Sequence, residues 1–234
     1  MRGVFVTGTG TEVGKTVVAA AIARTLATDG KRVAVFKPAV TGLAEFAAGG
    51  PKGGTAGDLS AHRRGSGADH EILRQAAGSR QSDDEIAPYR FGPPMSPHLA
   101  AELAGGGVEP QRLLAAARAA EDSADVLICE GVGGLLVPLT PSYSIRDLAV
   151  DLGLPVVIAA SPGLGTINHT LLTIEAARAA DLEIDAVVLT PWPEGPGPIE
   201  QSNRETIAAL GEVEVKALPR LNLDQPQTWP NLGL

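Results

Sequence analysis

The stretch that decides the fold is Thr7-Gly8-Thr9-Gly10-Thr11-Glu12-Val13-Gly14-Lys15-Thr16 (TGTGTEVGKT), which follows the β-branched run Val4 to Val6 and opens into the Ala-rich VVAAAIARTLA. Strand, Gly-rich turn and helix in that order is the setting of a phosphate-binding loop. Gly8, Gly10 and Gly14 let the backbone curl so that consecutive N–H groups and the helix amino end point at phosphate oxygens. Lys15 then faces the β and γ phosphates, and the Thr16 hydroxyl is placed for Mg²⁺. The spacing is a variant: the usual first glycine falls on Thr9, with glycines on either side of it. Gly10, Thr11, Glu12, Val13, Gly14, Lys15, Thr16 and Val17 are the candidate nucleotide-binding residues of this loop.

Working outward, further apolar runs read as strands: Arg32 to Lys37, Asp125 to Glu130, Pro155 to Ala160, Ala186 to Thr190 and Glu214 to Leu218. Their apolar residues are consecutive rather than alternating, as in parallel strands covered on both faces. Helical spacing fills the intervals at Lys15 to Thr28, Pro110 to Ser123, Ile145 to Leu152, Ile167 to Ala180 and Glu200 to Leu210. The alternation predicts a doubly wound, mainly parallel α/β sheet of the P-loop NTPase type, with helices on both faces and ligands at the carboxyl ends of the strands. Two stretches interrupt it: the Gly-rich Ala44 to Gly57, and a polar, turn-rich region from Ala61 to Pro97. The closing DQPQTWPNLGL is broken by prolines and is expected on the surface. No internal repeat or long like-charge run divides the chain, so one domain over 1–234 is expected.

Composition narrows the function. With 234 residues and 44% hydrophobic content the chain can bury a full core. Gly (28) and Pro (18) make up about a fifth of it, below the level of compositional disorder. A net charge of -8 offers no basic field for nucleic acid or an anionic membrane. Only four Phe, two Trp and two Tyr are present, too few for a base-stacking platform. The longest apolar stretch, LPVVIAASPGLG, is about half a membrane span and is broken by Pro and Gly. A single cysteine, Cys129, forms no internal disulfide, and the amino end lacks a signal peptide's apolar core; both point to the cytoplasm.

Two strand ends carry charge. Lys37 closes RVAVFK and is followed by Pro38, which leaves the ammonium either near the phosphate loop or as a solvated edge charge. Glu130 closes DVLICE before GVGG, where P-loop proteins hold Mg²⁺, and a carboxylate after four apolar or small residues is costly without a cation. Asp58 reads as a second Mg²⁺ ligand or as the N-cap of LSAHR. Cys129 reads as core, and His98 and His169 as capping or packing residues. An NKxD pattern is absent, against a GTPase switch. No lysine lies near Thr9 or Gly10, against the partitioning ATPases. From residues alone the chain is an Mg²⁺-dependent P-loop nucleotide enzyme.

TGTGTEVGKT, FKPAVTG (Phe36 to Gly42), MSPHLAA (Met95 to Ala101), CEGVGGLLVPL (Cys129 to Leu139) and LGTINHTLLT (Leu164 to Thr173) resemble, in order and spacing, the segments of dethiobiotin synthetases. The resemblance implies the family's reaction: 7,8-diaminononanoate, CO2 and ATP, with Mg²⁺, give dethiobiotin, ADP and phosphate. It implies that Lys15, Lys37 and Thr16 surround the phosphates and that Thr16, Asp58 and Glu130 surround the metal. By the same resemblance Thr11, Glu12, Lys37, Thr41 and Gly133 lie along the diamine and carbamate, with Lys15, Lys37 and Glu12 catalytic. Asn168 would reach the substrate carboxylate of the partner in a homodimer. Thr190, Pro191, Leu218 and Pro219 would border the nucleotide base. Three departures stand out: Val132 where EGAGG is usual, Thr41 where Ser is common, and Thr190 where Asn is common. The rival from another class is a partner-regulating P-loop ATPase, against which FKPAVTG counts.

Overall fold

The computed structural model describes residues 2–43 and 68–233. In chain order the strands are β1 (Gly3–Gly8), β2 (Val33–Phe36), β3 (Val126–Glu130), β4 (Pro138–Thr140), β5 (Tyr143–Ser144), β6 (Val156–Ala160), β7 (Ile184–Trp192) and β8 (Val215–Pro219). All but β4 and β5 form one parallel sheet in the order β2-β3-β1-β6-β7-β8, so the winding reverses at β1, the strand that carries the Gly-rich loop. Val6 pairs with Glu130, Gly8 with Ala159 and Leu189 with Ala217, which brings the carboxyl ends to one edge. That edge is where open α/β sheets bind ligands.

The consecutive apolar runs are explained by two covered faces. Phe5, Phe36, Leu127 and Cys129 pack with Leu113 and Ala117 of a helix at Pro110–Asp122 and with Ile145 and Leu148 of one at Ile145–Leu152. The alternate residues Val6, Val35 and Ile128 pack with Val18 and Ile22 of helix α1 (Lys15–Thr28) and with Leu73. A third apolar cluster joins Ile158 and Leu189 to Ile174 and Ile207, from helices Thr166–Arg178 and Pro198–Gly211.

Three expectations are corrected. Part of the region expected to be turn-rich is helical, at α2 (Asp69–Ala77) and Asp83–Ile86. The first begins where the Glu71 carboxylate accepts from the Ala68 N–H at 2.7 Å, and it buries Leu73, Ala76 and Ala77 before Gly78 ends it in the left-handed conformation. Two such short helices leave too few turns for periodicity to register. The antiparallel pairing of β4 with β5 was also unanticipated, whereas a helix at Pro97–Leu103 begins at the SPH segment, where His98 reads as a capping or packing residue near a helix start. The carboxyl-terminal stretch is not wholly superficial, since Leu232 is buried against the sheet. Ala44 to Gly57 lies outside the described residues.

Candidate active site

The cleft at the carboxyl edge has a volume of about 430 Å³ and runs across the phosphate loop. Strand order fixes its two ends. Lys37 and Glu130 lie just past β2 and at the end of β3 on one side of β1, and Thr190 and Pro191 lie at the end of β7 on the other. The loop between them is shaped by Gly14, whose φ of 88° suits glycine and whose missing Cβ would sit 2.5 Å from Thr190 Cγ2. Glu12 also adopts a left-handed conformation, at φ 61°. Lys15 Nζ donates to the Gly10 carbonyl oxygen at 2.7 Å, folding the loop about its own ammonium.

Three elements converge on Glu130. Thr16 Oγ1, in the first turn of α1, donates to Glu130 Oε1 at 2.8 Å. Lys37 Nζ donates to the same oxygen at 2.5 Å and lies 3.1 Å from Asp69 Oδ2, at the amino end of α2. Lys37 is 3% exposed and Glu130 is fully buried. Burial opposes the Lys37 charge, but Asp69 and Glu130 outweigh it and hold its pKa above the ordinary lysine value. Burial pushes the Glu130 carboxyl up, against the downward pull of Lys37. Glu130 Oε2 is buried without a hydrogen-bond partner among the described residues. An unpaired buried carboxylate oxygen beside a Thr hydroxyl and a second carboxylate makes an oxygen-only donor set, the chemistry that suits Mg²⁺. The edge strand leading to Lys37 is itself pinned, because Gln81 accepts from Val35 N–H at 2.8 Å and donates to its carbonyl at 3.1 Å.

Of the residues singled out from sequence, Thr11, Glu12, Gly14, Lys15, Thr16, Val17, Lys37, Thr41, Glu130, Gly133, Thr190 and Pro191 line the cleft, as does Val132. Gly10 takes part through its carbonyl. Val13 packs behind the loop, with Cγ2 2.7 Å from where a Cβ on Gly8 would lie. Leu218 is buried in the core and Pro219 is exposed; neither borders the cleft, and Leu223 does so instead. Asn168 is exposed on its helix and does not line the cleft of its own chain. Asp58 lies outside the described residues. Sequence reading missed Asp69 because it assigned that region to turns. The one signal was an acid three residues after Ala68, followed by apolar Ile72, Leu73, Ala76 and Ala77, and Ala is a poor N-cap. Cys129 is buried, and burial raises its thiol pKa well above the ordinary value, as expected of a core residue. Among the described residues no helix is long and apolar enough to cross a membrane.

Residues 2–225 match the AAA domain family. Among solved structures, a Cyanothece McdA in complex with ATP superposes with a TM-score of 0.54 at 14% identity, covering 99% of this chain and 92% of that one. The Pyrococcus furiosus cell division ATPase MinD gives 0.53 at 14% identity, with 94% and 84% covered. At these identities the likeness is one of fold. Sequence relatives are far nearer. The ATP-dependent dethiobiotin synthetase BioD of Anaeromyxobacter dehalogenans is 40% identical over 93% of this chain and 89% of its own length. That of Mycobacterium sp. strain KMS is 38% identical over 94% and 88%, and that of Bacillus subtilis 34% over 92% and 85%. With identity at this level across more than nine-tenths of the sequence, the chain belongs to the ATP-dependent dethiobiotin synthetase family.

Proposed function

We propose that this chain closes the cyclic urea of dethiobiotin from 7,8-diaminononanoate, CO2 and ATP, as one domain over 1–234, in the cleft described above. The observation that carries the reading is the cluster of Lys37, Asp69, Glu130 and Thr16 beside the phosphate loop. One amine of the diamine captures CO2 as a carbamate, losing a proton. A carbamate oxygen attacks the γ-phosphorus and ADP leaves. The second amine then attacks the carbonyl carbon of the mixed anhydride, expelling phosphate and closing the ring.

Lys15 and Lys37 neutralise charge on the transferring phosphoryl group, and the loop N–H groups orient it. Thr16 and Glu130, with Asp58 as the family resemblance implies, would hold Mg²⁺, which supplies charge neutralisation at the phosphate oxygens when bound; Asp69, 3.1 Å from Lys37 Nζ, adds a further carboxylate beside them. Thr11, Glu12, Thr41 and Gly133 border the diamine, with Glu12 orienting or deprotonating its amine.

Asn168 supports a shared site in a homodimer. It is exposed and away from its own cleft, between Leu164, 95% exposed, and Leu172, 60% exposed. A second copy would cover this apolar strip and receive Asn168 at its substrate. The single buried cysteine fits a reducing cytoplasm. Regulation of a partner protein by nucleotide state rests on fold likeness alone. Nucleotide hydrolysis measured with and without diamine and bicarbonate tests the assignment: turnover must require both, and hydrolysis indifferent to the diamine refutes it.

A further inference from the structure

The residues after β8 return to the cleft at the end away from Lys37. There the lining consists of Val17, Thr190, Pro191 and Leu223. Among the described lining residues Leu223 alone comes from beyond β8. Its turn is organised by Asn222. Asp224 N–H donates to Asn222 Oδ1 at 3.1 Å, and Gln225 N–H donates to the Asn222 carbonyl oxygen at 3.1 Å. The indole Nε1 of Trp229 donates to that same carbonyl at 2.7 Å. The Trp229 ring is half-buried against the apolar cluster that also holds Leu223 and Val17. Beyond it Leu232 is buried, and Lys216 Nζ, on β8, donates to the carbonyls of Leu232 at 2.8 Å and Gly233 at 2.9 Å.

We propose that Trp229 is a positioning residue for the nucleotide. By holding the Asn222 carbonyl and packing beneath the turn, it presents Leu223 to the base end of the cleft without lining the cleft itself. A surface turn with few apolar contacts opens at little free-energy cost. The indole supplies both a hydrogen bond and apolar area, and the Lys216 bonds close the segment from its far end. The turn is therefore set before the nucleotide arrives, which spares the cost of ordering it on binding. The inference rests on the reading of this cleft as a nucleotide site.

The test uses the full chain and ADP as probe. With two tryptophans in the sequence, Trp192→Phe leaves Trp229 as the sole indole. Its emission is expected to shift on ADP addition, with the midpoint that calorimetry gives for the unsubstituted chain. Trp229→Phe keeps a ring but lacks the donor, and is expected to bind ADP about fivefold more weakly. Trp229→Ala is expected to lose about tenfold. In both, KM for ATP should rise while KM for the diamine stays put, a split that general destabilisation would not give. Should Trp229→Ala fail to fold, Trp229→Phe decides. Wild-type ADP affinity in Trp229→Phe, or Trp229 emission unmoved at saturating ADP, would overturn the proposal. An unsubstituted chain that gives no ADP binding by calorimetry overturns the nucleotide reading and the proposal with it.

Discussion

Replacing Lys37 with Met removes an ammonium from between two carboxylates while keeping most of its volume. Lys37 is 3% exposed, 2.5 Å from Glu130 Oε1 and 3.1 Å from Asp69 Oδ2, and Glu130 is fully buried. Breaking a buried pair by deleting one partner costs about 3–5 kcal/mol, because the other charge stays buried. At about 2–4 °C per kcal/mol for a chain of this size, the low end of that range lowers Tm by about 6–12 °C. The loss should be partly rescued by Mg²⁺, which supplies at Glu130 and Asp69 the charge that Lys37 no longer does. Millimolar Mg²⁺ therefore raises the Tm of Lys37→Met more than that of the wild-type chain. Because the Lys37 pKa lies above its ordinary 10.5, its contribution is complete below that pH and is lost only as pH rises through the higher folded value. The deficit is accordingly flat across the neutral range. Turnover falls by roughly two orders of magnitude, the scale of losing one contact to developing charge. Calorimetric scans with and without Mg²⁺, alongside initial rates with diamine and bicarbonate, check all of this. A Tm within about 2 °C of wild type, less than the smallest shift expected from the pair, with no added response to Mg²⁺, or a near-normal kcat, would refute the ion-pair reasoning.

Lys15→Ala is expected to abolish turnover, and mixing it with inactive Asn168→Ala subunits should restore activity in hybrid dimers; no recovery means a site built from one chain. At the base end Thr190 turns its methyl toward Gly14, Pro191 has no N–H, and Val17 and Leu223 are apolar. CTP and GTP should therefore support the reaction at a substantial fraction of the ATP rate, and an ATP preference in kcat/KM above about a hundredfold, nearly 3 kcal/mol, is inconsistent with this. Ser144→Ala removes the oxygen that accepts from Asp147 N–H at 3.3 Å and should cost about 1 kcal/mol by urea unfolding at pH 7. Burial raises the Asp147 carboxyl, but bonds from Ser144 outweigh it and hold its pKa below the ordinary 3.8; that part of the stability is present above pH 3.8 and fades as pH falls through the lower folded value.

How much was legible in the sequence divides along a physical line. Wherever a segment is covered on both faces, burial writes itself into consecutive apolar residues. For that reason β3 ends at Glu130 and the helices Lys15–Thr28 and Ile145–Leu152 have the bounds that their patterns suggest. The phosphate loop was legible for a related reason: Gly14 stands where the backbone is left-handed and Thr190 leaves no room for a Cβ, so the residue type records the geometry. Asp69 carries no such record. Its role comes from α2, a short helix that turns its first residue back toward Lys37, and nothing near Asp69 in the chain encodes that meeting. The same holds for Trp229. Among prolines it reads as surface, and its indole acquires a role only through the carbonyl of Asn222, seven residues earlier, on a turn whose neighbour Leu223 reaches the cleft. Local chemistry thus identifies groups that act where they stand in the chain, whereas the partners that complete their charge or hold their walls come from tertiary contact. Glu130 shows both halves at once. Its place at a strand end was readable as a demand for a cation, and the residue that meets the demand in the fold is Lys37, from the neighbouring strand.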